Sequence, residues 1–292
     1  MISFSHRVLV CTDLDRTLLP NGPQPESPSA RPRFRALAAH PDVHTAYVTG
    51  RHRELVLDAV ASYDLPVPDL LIGDVGTSIY RVDDGDWQRW TDWDPHIADS
   101  WAGANHDDLA RQLSDIPGLT LQEASKQGLH KVSWYTPSDW DRNLLLPQIE
   151  DRLNTQGVQA SLIWSLDEST NTGLLDLLPA KASKQLAIEF LMEHDAYDAG
   201  RTVFSGDSGN DLAVLISPIQ ATLVANATDE VRTEATDLAN AAGTETTLYL
   251  ARGDFEDDAE LSGLHPLQMI WRGVHEHYDD RSLLAYFAEL RG

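Results

Sequence analysis

Two carboxylates and a hydroxyl stand at the end of one apolar run: Val8-Leu9-Val10-Cys11-Thr12 leads into Asp13, Leu14, Asp15, Arg16 and Thr17. A run of that composition reads as a buried strand, and in an open α/β sheet ligands bind beyond the C-terminal ends of the strands. Alternation sets the Asp13 and Asp15 side chains apart from Leu14, and a turn after Thr12 aims both at one substrate. One can then be a nucleophile and the other an acid. A carboxylate nucleophile is used where a phosphoryl group passes through an aspartyl-phosphate, which divides one hard displacement into two easier ones. Four carboxylate oxygens would repel a phosphate dianion, so the chemistry calls for a divalent cation. Mg²⁺ suits it, because it takes few carboxylates and keeps phosphate oxygens and waters as its other ligands. An Asp-x-Asp pair alone is equally an ordinary solvated turn, so the reading rests on what else the chain brings to the same place.

The elements that position these groups begin as β-α-β-α-β. After a Pro/Ser-rich stretch from Pro20 to Pro32, Phe34, Leu37 and Ala38 recur at helical spacing. His44 to Thr49 is a second strand ending in Thr49-Gly50-Arg51, and Leu55, Val56, Ala59 and Val60 form the apolar face of the next helix. Leu70 to Gly73 is a third strand, and Gly76 to Tyr80 an extended piece after a tight glycine turn. This is the start of a parallel sheet. From about Asp83 to Thr172 the composition changes, with seven of the eight tryptophans, Trp87, Trp90, Trp93, Trp101, Trp134, Trp140 and Trp164. Lys131 to Tyr135 and Ala160 to Trp164 read as strands flanking a helix near Trp140 to Leu153. Clustered tryptophan is more simply the core of a small inserted α+β domain than a sugar-stacking surface. Leu174 to Pro179 is expected to re-enter the first domain. A helix from Ser183 to His194 follows with Lys184 at its start. A strand, Thr202 to Ser205, then leads into Gly206-Asp207-Ser208-Gly209-Asn210-Asp211, where two glycines bracket three metal-type side chains in a way packing does not explain. Ala221 to Val224 is one more strand, with helices near His265 to Tyr278 and Ser282 to Leu290. The expected division is an α/β core from residues 1–81 and 175–292 and an inserted unit from 82–174.

Composition bounds the partners. A chain of 292 residues can form two packed units. With 46 acidic against 22 basic residues its net charge is −24, which repels nucleic acid and anionic membranes and gives a strongly hydrated surface of the kind salt-adapted proteins carry. The single cysteine, Cys11, excludes an internal disulfide and a multi-cysteine metal site. Met1 to His6 lacks a signal-peptide apolar stretch, and no run approaches the roughly eighteen apolar residues of a membrane span. A cytoplasmic location is expected.

Asp13/Asp15/Thr17, Thr49-Gly50-Arg51, Lys184, and Asp207 with Asn210 and Asp211 form a constellation far more specific than any one of its parts. In order and spacing it resembles the haloacid dehalogenase (HAD) superfamily, whose fold is a Rossmann-like parallel-sheet core, here with an α/β (type IIB) cap inserted between the second and third motifs. More narrowly, Val75 to Tyr80, His130-Lys131-Val132-Ser133, Asp176-Leu177-Leu178-Pro179 and Ser205 to Asp211 resemble sucrose-phosphate phosphatases. The resemblance implies that Asp13 is the nucleophile and Asp15 the general acid and base, its proton held by anionic surroundings. It implies that Thr49 donates to the phosphoryl oxygens and Lys184 neutralises them. Mg²⁺ would be held by Asp13, the Asp15 carbonyl, Asp207 and, directly or through water, Asp211, with Asn210 orienting that cluster. Thr17, Gly50, Arg51 and Asn210 would complete the substrate contacts, with Lys131 as a ligand for sugar hydroxyls and His130 structural.

The implied activity is Mg²⁺-dependent hydrolysis of a sugar phosphate, with sucrose 6-phosphate first and mannosylfructose phosphate or a glycosylglycerate phosphate as alternatives. A phosphosugar mutase would use the same intermediate. A non-catalytic reading is a sugar- or partner-binding protein, docking to a glycosyltransferase through the cap tryptophans. Four positions depart from the pattern. Arg16 stands where Gly or Asn is usual and Gln185 where Gly is usual, while Ser78 and Leu174 replace acidic residues that would accept sugar hydroxyls.

Overall fold

The computed structural model of the chain describes residues 7–20, 30–167 and 170–251. Most of the Pro/Ser-rich stretch and both helices expected after His265 lie outside the described residues. The chain runs β1 (Val8–Thr12), α1 (Ala30–Ala38), β2 (Val43–Val48), α2 (Arg53–Tyr63), β3 (Leu70–Gly73), β4 (Ser78–Asp83) and β5 (Asp86–Arg89). It continues through α3 (Asp94–Ala98), α4 (His106–Gln112), β6 (Thr120–Leu121), β7 (Val132–Pro137), α5 (Arg142–Thr155), β8 (Ala160–Asp167) and β9 (Thr172–Pro179). It ends with α6 (Lys184–His194), β10 (Thr202–Gly206), α7 (Leu212–Leu215), β11 (Gln220–Leu223), α8 (Asp229–Ala242) and β12 (Leu248–Leu250). No helix of the described residues is long and apolar enough to cross a membrane.

Two compact units result, one from residues up to Arg89 and from Lys184 onward, the other Trp90–Ser183. The first is built on an eight-stranded sheet in the order β12-β11-β10-β1-β2-β3-β4-β5. Six strands are parallel, and β4 and β5 close one edge as an antiparallel hairpin. The Gly73–Ser78 link is too short for the crossover a parallel neighbour needs, so β4 must turn back on β3. All five residues of β1 are buried, as its unbroken apolar run requires. From β1 the chain winds outward through β2 and β3 on one side, and later through β10, β11 and β12 on the other. β1 and β10 are therefore neighbours at a switch point, where a crevice opens at the strand ends.

The second unit is an α+β fold around a four-stranded antiparallel sheet, β6-β7-β9-β8. Leu174 to Pro179 belongs to this sheet as β9, paired on both sides, and does not re-enter the core as its sequence suggested. An apolar stretch of that length is equally at home in either sheet, and only its pairing partners decide. Trp93, Trp101, Trp134 and Trp140 are buried here, and the last three pack with Leu109, Ile149 and Leu175. These four are core side chains, each worth on the order of 2–3 kcal/mol of burial. Trp87 lies instead on β5 in the first unit.

Candidate active site

Asp13 follows the last residue of β1, with its backbone N–H donating 2.9 Å to the Ser205 carbonyl of neighbouring β10. Leu14 is fully buried, and its carbonyl accepts the N–H groups of Thr17, Leu18 and Leu19. That tight turn drives Leu14 into the core and leaves the carboxylates on either side at the strand ends. Asp13 Oδ1 accepts the Leu14 N–H at 2.7 Å, and Oδ2 lies 3.0 Å from Lys184 Nζ. Asp15 has a different partner. Its two oxygens receive the Arg51 fork, at 2.8 Å from Nε and 2.5 Å from Nη2. The sequence reading surrounded Asp15 with anions; the β2 end loop instead faces it with a guanidinium.

That loop is held from the next crossover. Thr49, fully buried, accepts the Arg51 N–H on Oγ1, and its carbonyl accepts the Val75 N–H at 3.1 Å, while the Asp74 N–H reaches the Arg51 carbonyl at 3.0 Å. Asp74, Val75 and Gly76 all have positive φ, 50°, 59° and 96°. For a β-branched residue such as Val75 that conformation costs about 1–3 kcal/mol, which persists only when surrounding structure over-determines it. The two backbone hydrogen bonds to Thr49 and Arg51 are what hold it, so the strained turn positions the Thr49-Gly50-Arg51 segment. Nothing in the spacing of Asp74 or Val75 announces this.

The third strand end supplies the remaining acids. Asp211 Oδ2 accepts the N–H groups of Asp207 and Ser208, at 3.0 and 3.1 Å, and so folds back beneath the loop that carries Asp207. Gly206 makes this possible: a Cβ there would sit 2.5 Å from Asp211 Cγ. Gly209 has open space around a Cβ, so only the first of the two glycines is demanded by packing. Lys184, the first residue of α6, is 1 % exposed and divides its ammonium between Asp13 Oδ2 and Asp211 Oδ1, the latter at 2.7 Å. Burial alone would lower its pKa, but those two carboxylates outweigh burial and hold it above its ordinary value.

Asp13, Asp207 and Asp211 are all buried and offer oxygens within 4.8 Å of one another. Burial, with Asp211 adding repulsion against the pull of Lys184, raises the Asp13 pKa to about 7; burial and Asp211 raise Asp207 to about 6. Three buried carboxylates whose oxygens converge in this way are the hard donor set that a divalent cation takes. In the metal-free chain both groups bind protons more tightly folded than unfolded, so they erode stability as pH rises from about 4 through 7. A divalent cation held by these acids would displace those protons. The thermal stabilisation it confers should therefore be small at about pH 5 and level off by about pH 8. A stabilisation independent of pH over that interval would detach the cation from Asp13 and Asp207.

Thr17 Oγ1 is buried in the same turn as the acids and lacks a hydrogen-bond partner among the described residues. Asn210 is exposed and accepts from Ser208 Oγ; Gly50 is exposed on the β2 loop. Lys131 lies in the second unit, 8 % exposed, immediately before β7, while His130 stacks edge-on to Trp101 at 5.8 Å. Ser78, buried, gives its hydroxyl to Asp74 Oδ2 at 3.0 Å. Leu174 is half-buried on β9, two residues before Asp176, whose Oδ1 accepts Ser133 Oγ at 2.5 Å. Sequence reasoning passed over Arg16 as a site residue and treated it only as a departure; its guanidinium Nε lies 3.3 Å from Asp207 Oδ2. The available signal was a lone cation inside the Asp-x-Asp loop.

The profile of the sucrose-6F-phosphate phosphohydrolase family matches residues 6–257. A protein of Nitrosococcus oceani described only as a HAD-like hydrolase is 52 % identical over 249 residues, 85 % of this chain and 67 % of that protein. Sucrose-phosphatase 1 of Nicotiana tabacum is 29 % identical over 237 residues, 77 % of this chain and 52 % of its own length, so the chain spans about half of that relative. The X-ray structure of the sucrose-phosphatase from Synechocystis sp. PCC6803, in complex with sucrose and phosphate, matches with a TM-score of 0.70. It covers 94 % of this chain and 98 % of that one at 20 % identity, a likeness of fold. With a strand-end carboxylate cluster on a mostly parallel core and a separate antiparallel sheet as type IIB cap, the chain belongs to the sucrose-6F-phosphate phosphohydrolase family of HAD-like hydrolases.

Proposed function

We propose that the chain is a Mg²⁺-dependent phosphatase of a sugar phosphate, with a disaccharide phosphate such as sucrose 6-phosphate as substrate. The observation that carries this reading is the buried Asp13, ion-paired to Lys184 and converging with Asp207 and Asp211. An Asp13 oxygen attacks phosphorus, and the bond to the sugar oxygen breaks as that oxygen takes the Asp15 proton. Asp15, now ionised, removes a proton from water, which attacks the aspartyl-phosphate, releasing phosphate and restoring Asp13. Both Asp15 oxygens face Arg51 in the free chain, so substrate must draw one of them away from the guanidinium. Lys184 favours the ionised form of Asp13 against burial and faces the charge that grows on the phosphoryl oxygens, and the Thr49 hydroxyl donates to them, both without reorganisation. The cation, held by Asp13, the Asp15 carbonyl, Asp207 and Asp211, would neutralise phosphoryl charge.

The substrate-reading side differs from the sucrose-phosphatase pattern in one definite respect. The hydroxyls that acidic residues at positions 78 and 174 would accept meet Ser78 and Leu174 here, and a buried hydroxyl without an acceptor costs about 1–3 kcal/mol. Two acids stand near those positions in the fold: Asp74, already joined to Ser78, and Asp176 on the same face of β9 as Leu174. Mannosylfructose phosphate or a glycosylglycerate phosphate is the second reading, which these two altered acceptors admit. Phosphate release from a panel of disaccharide, glycosylglycerate, hexose and aryl phosphates, each with Mg²⁺ and with chelator, decides. Sucrose 6-phosphate turned over at least about tenfold faster than the others supports the first reading. A different preferred sugar replaces it, and no metal-dependent release from any ester overturns the phosphatase.

A further inference from the structure

Arg16 has a left-handed backbone, φ 58°, a conformation that asparagine and glycine adopt at less cost than a long side chain. The fold holds it there through Asn226, 210 residues away. Asn226 Nδ2 donates to the Arg16 carbonyl at 2.6 Å, and Arg16 Nη2 donates to the Asn226 carbonyl at 3.3 Å. So anchored at both ends, the side chain brings Nε to 3.3 Å from Asp207 Oδ2, without the alignment of a hydrogen bond. Lys184 pairs with Asp13 and Asp211. The positive charge is thus divided: one buried ammonium serves two of the acids, and a guanidinium that is 39 % exposed serves the third, itself 5 % exposed.

Resting on the metal reading above, we propose that Arg16 is the standing counter-ion of Asp207 that a divalent cation must oppose, so that Arg16 sets a weaker metal affinity than a neutral residue would. A positive charge beside a ligand carboxylate repels an arriving dication and engages one of the carboxylate oxygens, and beside a carboxylate only 5 % exposed that repulsion is screened less than at the open surface. A neutral residue at position 16 leaves Asp207 to the cation alone. The partial exposure of Arg16 lets the guanidinium move toward solvent when metal enters, so that binding is an exchange of partners at Asp207.

The test is direct Mn²⁺ binding by the full chain, followed through the free-ion electron paramagnetic resonance signal at about pH 8, above the range in which Asp13 and Asp207 hold protons. Arg16→Asn and Arg16→Gly, both suited to the left-handed backbone, should bind roughly five- to tenfold tighter than the natural chain, and Arg16→Lys should stay within about threefold of it. Unchanged or weaker binding by both neutral variants overturns the inference while leaving the metal site intact. So does Arg16→Lys tightening as much as Arg16→Asn, since charge would then not be the cause. No Mn²⁺ binding by any form overturns the inference and the metal reading together.

Discussion

Asp13→Asn should lower turnover of the preferred phosphate ester by about 10⁴-fold or more, because Asp15, the other carboxylate at the β1 end, has both oxygens engaged by Arg51 and is not placed to carry the phosphoryl group. The folded chain should survive the change. The Asn carbonyl oxygen can keep the Leu14 N–H that Asp13 Oδ1 accepts, and the remaining amide faces Lys184, which retains Asp211 as partner. The two effects separate in one experiment. Rapid acid quench with ³²P-labelled ester should leave label covalently on the natural chain and none on the variant, while circular dichroism of the two remains alike. Turnover within about tenfold of the natural chain would remove Asp13 as nucleophile.

Lys184→Met should be strongly destabilising. It deletes the ammonium between Asp13 and Asp211, both buried, and Met cannot compensate either. Removing one partner of a buried ion pair costs about 3–5 kcal/mol, because the charge left behind stays desolvated. For the first unit this corresponds to a fall of roughly 10 °C in its melting transition without metal. Added Mg²⁺ supplies positive charge to the same acids, so the deficit should shrink in its presence, whereas kcat should stay depressed because the charge facing the phosphoryl oxygens is gone. A metal-free melting temperature equal to that of the natural chain would mean that Lys184 does not neutralise the cluster.

Local spacing made the core elements and the strand-end motifs legible. The β1 run is apolar without interruption because both faces of the strand are covered, and the residues that leave it must be polar because they leave the core. Of Leu186, Ala187, Phe190 and Leu191, which helical spacing puts on one face of α6, the last three are buried and Leu186 is exposed, and the helix begins at the Lys184 that its sequence marked. The cap tryptophans read as core because large apolar side chains must fill a small unit, and four of them do. The limits of the inserted unit were less legible. β9 has the composition of a core strand, and the β4–β5 hairpin that carries Trp87 has the composition of the cap.

The sequence by itself therefore determined which groups are available and at which strand ends they emerge, since period, turn residues and side-chain chemistry are local properties. The pairing among those groups was decided only by tertiary structure. Asp15 meets Arg51 across 36 residues, Arg16 is locked by Asn226 across 210, and Lys184 chooses Asp13 and Asp211 and leaves Asp207 to Arg16. These contacts exist because β10 lies beside β1 and β2 on its other side. Which parallel strands become neighbours is settled by how the whole chain buries its apolar surface, a sum over distant residues that no short stretch encodes.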